Sequence, residues 1–80
     1  MRPVRRGAPR LTAVEISTPR ITLGDFLKWS GVAPTGGAAK VLVQGGRVCV
    51  NGIAEHRRGR QIEPGDRITV GGREYKVVAG

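Results

Sequence analysis

The chain of 80 residues contains one cysteine, Cys49, and one histidine, His56. They are the side chains best suited to nucleophilic or metal chemistry. Taking Asn51-Gly52 as a two-residue hairpin loop, a turn that needs positive φ at both positions, Val50 faces Ile53, Cys49 faces Ala54, Val48 faces Glu55 and Arg47 faces His56. Cys49 and His56 then become diagonal neighbours on one strand face. A Cys–His nucleophile also needs a third group to orient the imidazole and a pocket to exclude water, and this pattern supplies neither. One Cys and one His cannot complete a zinc site. Gly36-Gly37 is followed by Lys40, but the Gly-Lys-Ser/Thr spacing of a nucleotide phosphate loop is missing. The expectation is no enzyme, no metal and no cofactor.

The chemistry that the residues do support is binding of a polyanion. Lys and Arg number 14 against 6 Asp and Glu, a formal net charge of +8. The excess is concentrated in two places. Met1–Arg10 carries Arg2, Arg5, Arg6 and Arg10 with no acid, and residues 40–60 carry Lys40, Arg47, Arg57, Arg58 and Arg60 against Glu55 alone. Elsewhere acids and bases balance. Solubility alone calls for scattered charge, whereas a tail and a block of one sign make an electrostatic footprint.

Two expected helix starts differ in the same sense. Thr22 is a good N-cap, with Asp25 three residues on to complete a capping-box-like pair and Ile21 and Phe26 as a hydrophobic staple. Thr35 is the second cap, but no acid follows it, and Gly36 and Gly37 place no side chain over the first amides. Free N–H groups at a helix start favour an anion, and Lys40 lies one turn further on. The competing explanation is that the two glycines let the helices pack closely.

The elements that must position these residues follow from patterning. Met1–Arg10, with two prolines and four arginines, reads as a disordered basic arm. A short strand is expected over Leu11–Ile16, with Val14 and Ile16 on one face. Leu23, Phe26, Leu27 and Ser30 share one helical face, with Gly31 as a left-handed stop and Val32 folding back. The second helix runs from Thr35 to Gly45-Gly46. Strands are expected at Arg47–Val50, Ile53–Arg57, Arg67–Val70 and Tyr75–Val78. Alternation assigns Val48, Val50 and Ile53 to the core, and Arg47, Cys49, His56 and Arg58 to a basic outer face.

Eighty residues form one domain with a thin core. Phe26, Trp29 and Tyr75 are its aromatics, and Trp29 is expected to cover part of that core, with stacking on a base as the alternative. A lone cysteine excludes an intrachain disulfide framework and fits a reducing cytoplasm. No apolar run is long enough to span a membrane, and the arginines at the start precede no apolar signal region. A cytoplasmic monomer is the expectation.

Several motifs occur together: Ile21-Thr22-Leu23-Gly24-Asp25-Phe26-Leu27-Lys28, Thr35-Gly36-Gly37-Ala38-Ala39-Lys40, Gly46-Arg47-Val48-Cys49-Val50-Asn51-Gly52, Glu55-His56-Arg57-Arg58-Gly59-Arg60 and Pro64-Gly65-Asp66. In this combination the chain resembles the S-four-like RNA-binding domain, the alpha-L RNA-binding motif of the ribosomal small-subunit protein four type. It is most similar to the small stand-alone bacterial members. The resemblance covers roughly residues 11–78. It implies an α+β fold, two short packed helices on a small, mainly antiparallel sheet with a Val-Asn-Gly hairpin, bound to structured or ribosomal RNA along the second helix and the basic hairpin. Carried over by position, and with Arg47 added from the hairpin face, the expected RNA-binding residues are Thr35, Gly36, Gly37, Lys40, Arg47, Arg57, Arg58 and Arg60. Related domains often hold more Arg or Lys early in the second helix, where this chain has Gly36-Gly37-Ala38-Ala39.

Two other classes fit a small chain of this kind. A ubiquitin-like sulfur carrier also shows Val-Asn-Gly and Gly-Asp pieces, but it needs a terminal Gly-Gly where this chain reads Val78-Ala79-Gly80, and it has no use for a basic block. A protein-interaction subunit of a ribosome-associated assembly is compatible with the charge.

Overall fold

Alternating apolar residues and turn-forming glycines give short strands that become stable only when a sheet joins them. The computed structural model describes residues 10–80. The elements in order are β1 (Arg10–Ile16), β2 (Ile21–Thr22), α1 (Leu23–Trp29), α2 (Gly36–Gln44), β3 (Val48–Val50), β4 (Ile53–Ala54), β5 (Gln61–Ile62), β6 (Arg67–Val70) and β7 (Arg73–Ala79). The basic arm expected over residues 1–10 lies outside the described residues except for Arg10, which opens β1.

A five-stranded sheet has the order β1-β7-β6-β3-β4, and β2 pairs with β5 in a separate two-stranded ribbon. Every pairing is antiparallel except β1 with β7, where Val14 faces Val77 and Ile16 faces Ala79. This is the α+β, mainly antiparallel arrangement expected from the sequence. The hairpin register is also as expected, with Cys49 opposite Ala54 and Val50 opposite Ile53. Asn51 and Gly52 sit at φ 53° and 86°, the positive values that a tight two-residue turn demands.

Thr22 caps α1, its hydroxyl accepting from the Asp25 amide at 3.2 Å. Asp25 does not return a bond to Thr22. Its carboxylate instead lies 3.7 Å from Lys28 Nζ. Gly31 adopts φ +83°, and the Ala33 amide turns back to the Leu27 carbonyl at 3.0 Å, the left-handed stop expected there. Leu23, Phe26 and Leu27 from α1 meet Val43 from α2 and Val48, Val50, Ile62, Ile68 and Val77 from the strands in one fully buried core. Each such side chain contributes about 1.5–3 kcal/mol relative to exposure.

Three expectations need correction. Ile53 is not in the core but 71% exposed, because β4 is the sheet edge and ends after two residues. The return strand expected through Arg57 stops at Ala54; the Glu55 amide still donates to the Val48 carbonyl at 3.0 Å, and beyond it the chain bends into a loop whose Arg57 and Arg60 bond to the Glu55 carboxylate rather than to β3. Trp29 does not cover the core; it is 62% exposed, and its indole N–H donates to the Glu15 carbonyl at 2.7 Å.

Candidate nucleic-acid interface

The segment from Glu55 to Arg60 is a loop whose shape is set by an ion-pair cluster. Glu55 is 9% exposed. One carboxylate oxygen accepts from both the Arg57 amide, at 3.2 Å, and Arg57 Nε, at 3.1 Å. The other accepts from Arg60 Nη1 at 3.1 Å. Hydrogen bonds from Arg57 and then Arg60 stabilise the ionised form and pull the Glu55 pKa well down, to about 2, against the opposing effect of desolvation. Counted as charge, Glu55 only lowers the local excess; folded, it is the centre that holds Arg57 and Arg60. A single acid among the five cations of residues 40–60, two places before Arg57, is the available signal.

The same loop is fastened to α1 by its backbone. The Leu23 amide donates to the Arg60 carbonyl at 2.8 Å and the Gly24 amide to the Arg58 carbonyl at 3.0 Å. With Thr22 serving Asp25, the first three amides of α1 all have acceptors, so this helix start has no capacity left for an external anion.

The start of α2 is different. Thr35 Oγ1 accepts from the Ala38 amide at 3.1 Å, and the Thr35 carbonyl accepts from the Ala39 amide at 3.1 Å. The Gly36 and Gly37 amides have no acceptor among the described residues. The packing explanation for these glycines does not hold. A Cβ at Gly36 would meet nothing within 4 Å, and one at Gly37 would meet only Thr35 Oγ1 at 3.9 Å. The two positions are bare backbone at a positive helix end.

The loop runs alongside α2 from its end to its start. His56 Nε2 lies 3.4 Å from where a Cβ on Gly46 would stand, just past the helix end. Arg58 and Gly59 share with Gly36 and Ala39 a cleft of about 250 Å³ at the helix start, which Thr22, Gly24, Asp25 and Lys28 complete. Lys40 and Arg47 are exposed, Lys40 on α2 and Arg47 just beyond it.

The structure therefore brings Gly36 and Arg58 to one cleft and flanks α2 with the basic loop. It does not treat the cations alike. Arg57 and Arg60 share Glu55, and the Arg60 side chain is only 33% exposed. Lys40, Arg47 and Arg58 have no acidic partner among the described residues. Lys28, not singled out from sequence, joins the cleft but is offset by Asp25. His56 leaves the sheet for Gly46, and no hydrogen bond joins it to Cys49 among the described residues. No cluster of three or more metal-ligating side chains occurs among those residues, and no helix there is long and apolar enough to cross a membrane. What the arrangement can do is hold a phosphate-rich backbone along one helix and one loop.

Comparisons with known proteins bear on the family and the fold. A family model described as the S4 domain matches residues 14–78. "Probable ribosome maturation protein RlbA" of Bacillus subtilis (strain 168) is 41% identical over 59 residues, which span 74% of this chain and 83% of that protein. "Putative RNA-binding protein YbcJ" of Escherichia coli (strain K12) is 34% identical over 61 residues, 76% of this chain and 87% of that one. The solution structure of E. coli YbcJ, described as revealing an alfaL motif involved in RNA-binding, superposes with a TM-score of 0.65 at 28% identity. The match covers 99% of this chain and 100% of that one.

Proposed function

The chain belongs to the S4 domain family, and from that premise we propose that it is a non-catalytic RNA-binding protein that grips structured RNA, ribosomal RNA in particular, along α2 and the loop Glu55–Arg60. The observation that carries the reading is the meeting of Gly36 and Arg58 in one cleft beside two amides without acceptors. A phosphate seated there receives backbone N–H bonds, the favourable end of the helix dipole and a guanidinium. Lys40 extends the contact along α2, and Arg47 continues it past the helix end. Arg57 and Arg60 act together with Glu55 as a braced edge of the site, and Thr35 holds the helix start in shape. Family membership supplants the sulfur-carrier alternative.

The names of the two relatives, one assigned to ribosome maturation and one to RNA binding, support both the ligand class and the ribosomal source. The protein acts in the cytoplasm, as a monomer. The basic arm at residues 1–10 adds sequence-independent attraction for the same RNA.

The test is a titration of an A-form RNA hairpin across a salt series. Lys40, Arg47 and Arg58, with the net positive charge left on the Glu55 cluster, make about four phosphate contacts, so α2 and the loop contribute a slope of log affinity against log salt of roughly −3 to −4, which the arm steepens further. A B-form DNA duplex of equal length binds more weakly at the same salt. Salt-independent binding refutes the phosphate footprint, and equal affinity for the two duplex forms refutes RNA selectivity.

A further inference from the structure

Beyond the phosphate track lies a second, larger cleft, of about 430 Å³, lined in part by Ile16, Arg20, Thr22, Asp25, Trp29 and Gln61. We propose that this cleft is a nucleobase subsite, in which an unpaired RNA base stacks on the indole of Trp29 while Arg20 and Gln61 hold its edge or its flanking phosphate. The proposal rests on the RNA-binding reading above and adds to it a base-contacting site outside α2, across the first turn of α1.

The geometry points to a base for three reasons. First, Trp29 is the chain's single tryptophan and is left 62% exposed at the end of α1, in a protein whose Phe26 and Tyr75 are both buried. Its only polar atom is spent on the Glu15 carbonyl at 2.7 Å. That bond fixes the ring without using its faces, so the plane is pre-set for stacking and the indole can offer a ligand only its π surface. A base has a matching face and a flat, polar edge.

Second, the other lining groups suit a base and its phosphate. Arg20 is exposed and has no acidic partner among the described residues. Gln61 offers an amide with both donor and acceptor. Asp25, the acid in the cleft, is held by Lys28 at 3.7 Å. The volume lies within the range of clefts that take small organic ligands.

Third, the cleft is continuous with the phosphate track. Thr22 and Asp25 line both this cleft and the one holding Gly36 and Arg58. Gln61 is also the residue that follows Arg60 in the chain. A strand leaving the basic loop reaches Trp29 by crossing the first turn of α1. Single-stranded or bulged nucleotides, whose bases are free of partners, are the part of a structured RNA that can enter.

Because Trp29 is the only tryptophan, its fluorescence reports the site directly. The full chain is titrated with a single-stranded oligoadenylate of about eight nucleotides, within the usual span of such sites, and with a fully paired RNA hairpin as control. The oligoadenylate quenches Trp29 emission and the paired hairpin does so much less. Trp29→Ala weakens oligoadenylate binding roughly tenfold, in keeping with loss of one base–aromatic stack, and leaves the salt slope unchanged, since no phosphate contact is removed. Trp29→Phe recovers most of the affinity. Arg57→Ala with Arg58→Ala lowers the slope yet preserves quenching at saturation.

Salt-dependent RNA binding with unquenched emission and undiminished Trp29→Ala affinity overturns the subsite and leaves the RNA reading standing. Failure of the unaltered chain to bind either RNA at low salt overturns the RNA reading itself.

Discussion

Asn51 and Asp66, fifteen residues apart, are joined by a hydrogen bond of 3.1 Å from Asn51 Nδ2 to Asp66 Oδ1. Asn51 Oδ1 also accepts from the Arg67 amide at 3.0 Å, and Asp66 Oδ2 accepts from the Glu63 amide at 2.9 Å. The Val-Asn-Gly and Pro-Gly-Asp motifs are therefore two halves of one device. Asn51 supplies the left-handed turn residue and ties it to the next turn, which sets the register of β3 on β6.

This bond is expected to couple the two residues in stability. Asn51→Ala and Asp66→Ala each destabilise by about 1–2 kcal/mol, and a double-mutant cycle gives a coupling of about 0.5–1.5 kcal/mol. Urea unfolding of the four proteins measures it. Asn51→Gly separates turn strain from side-chain bonding, because it keeps the positive φ and loses only the bonds. Strict additivity of the two alanine variants would mean that the motifs stand independently.

Glu55→Gln makes the protein more basic, and bulk electrostatics alone would tighten RNA binding. The opposite is expected at about 0.15 M salt, a several-fold loss, because Arg57 and Arg60 lose the carboxylate that shapes the loop. Freed cations should at the same time steepen the salt slope by up to about one unit. Tighter binding by this variant would show that the cluster restrains the site instead of organising it.

The same carboxylate makes stability depend on acid. Its pKa is lowered on folding from 4.5 to about 2, so its contribution is present in full above 4.5 and is lost as the pH falls through about 2. Thermal melts between pH 6 and pH 2 should show a decline in the unaltered chain that is shallower in Glu55→Gln. Parallel declines would assign the acid sensitivity to other groups.

Arg58 and Arg60 are predicted to fail differently. Arg58→Ala keeps the backbone carbonyl that serves Gly24, so the fold is nearly unaffected while affinity falls and the salt slope flattens by about 0.7–0.9. Arg60→Ala breaks one arm of the Glu55 cluster and lowers thermal stability as well. Equal stability losses in the two variants would contradict this division of roles.

Gly37→Glu tests the start of α2. Space at Gly37 is open, with the nearest atom to a new Cβ at 3.9 Å. Glutamate is a better helix former than glycine by about half a kcal/mol, and a carboxylate in the first turn gains about 0.3–1 kcal/mol from the helix dipole. The variant should melt at the same temperature or slightly higher while RNA affinity drops sharply, since the carboxylate repels phosphate and covers the amides. A stable variant with undiminished binding would remove this helix start from the interface.

The sequence by itself determined whatever depends on local chemistry. Thr22 and Thr35 marked the helix starts, Gly31 one helix end, and Asn51-Gly52 the hairpin and its register, because caps and turns are decided by a few adjacent residues. The clustering of Lys40, Arg47, Arg57, Arg58 and Arg60 was also visible, since charge needs no folding to be counted. Tertiary structure decided which of those cations are available. Only the inward turn of the Glu55 side chain commits Arg57 and Arg60 to it and leaves Arg58 in the cleft with Gly36. Only the sheet order places Ile53 on an exposed edge despite its apolar alternation, and pairs β1 in parallel with β7 at the far end of the chain. Trp29 shows the same limit. Its position on α1 was readable, but its exposure depends on how far β1 extends and which carbonyl of β1 meets the indole. Those are relations between residues 14 positions apart, and no local rule encodes them.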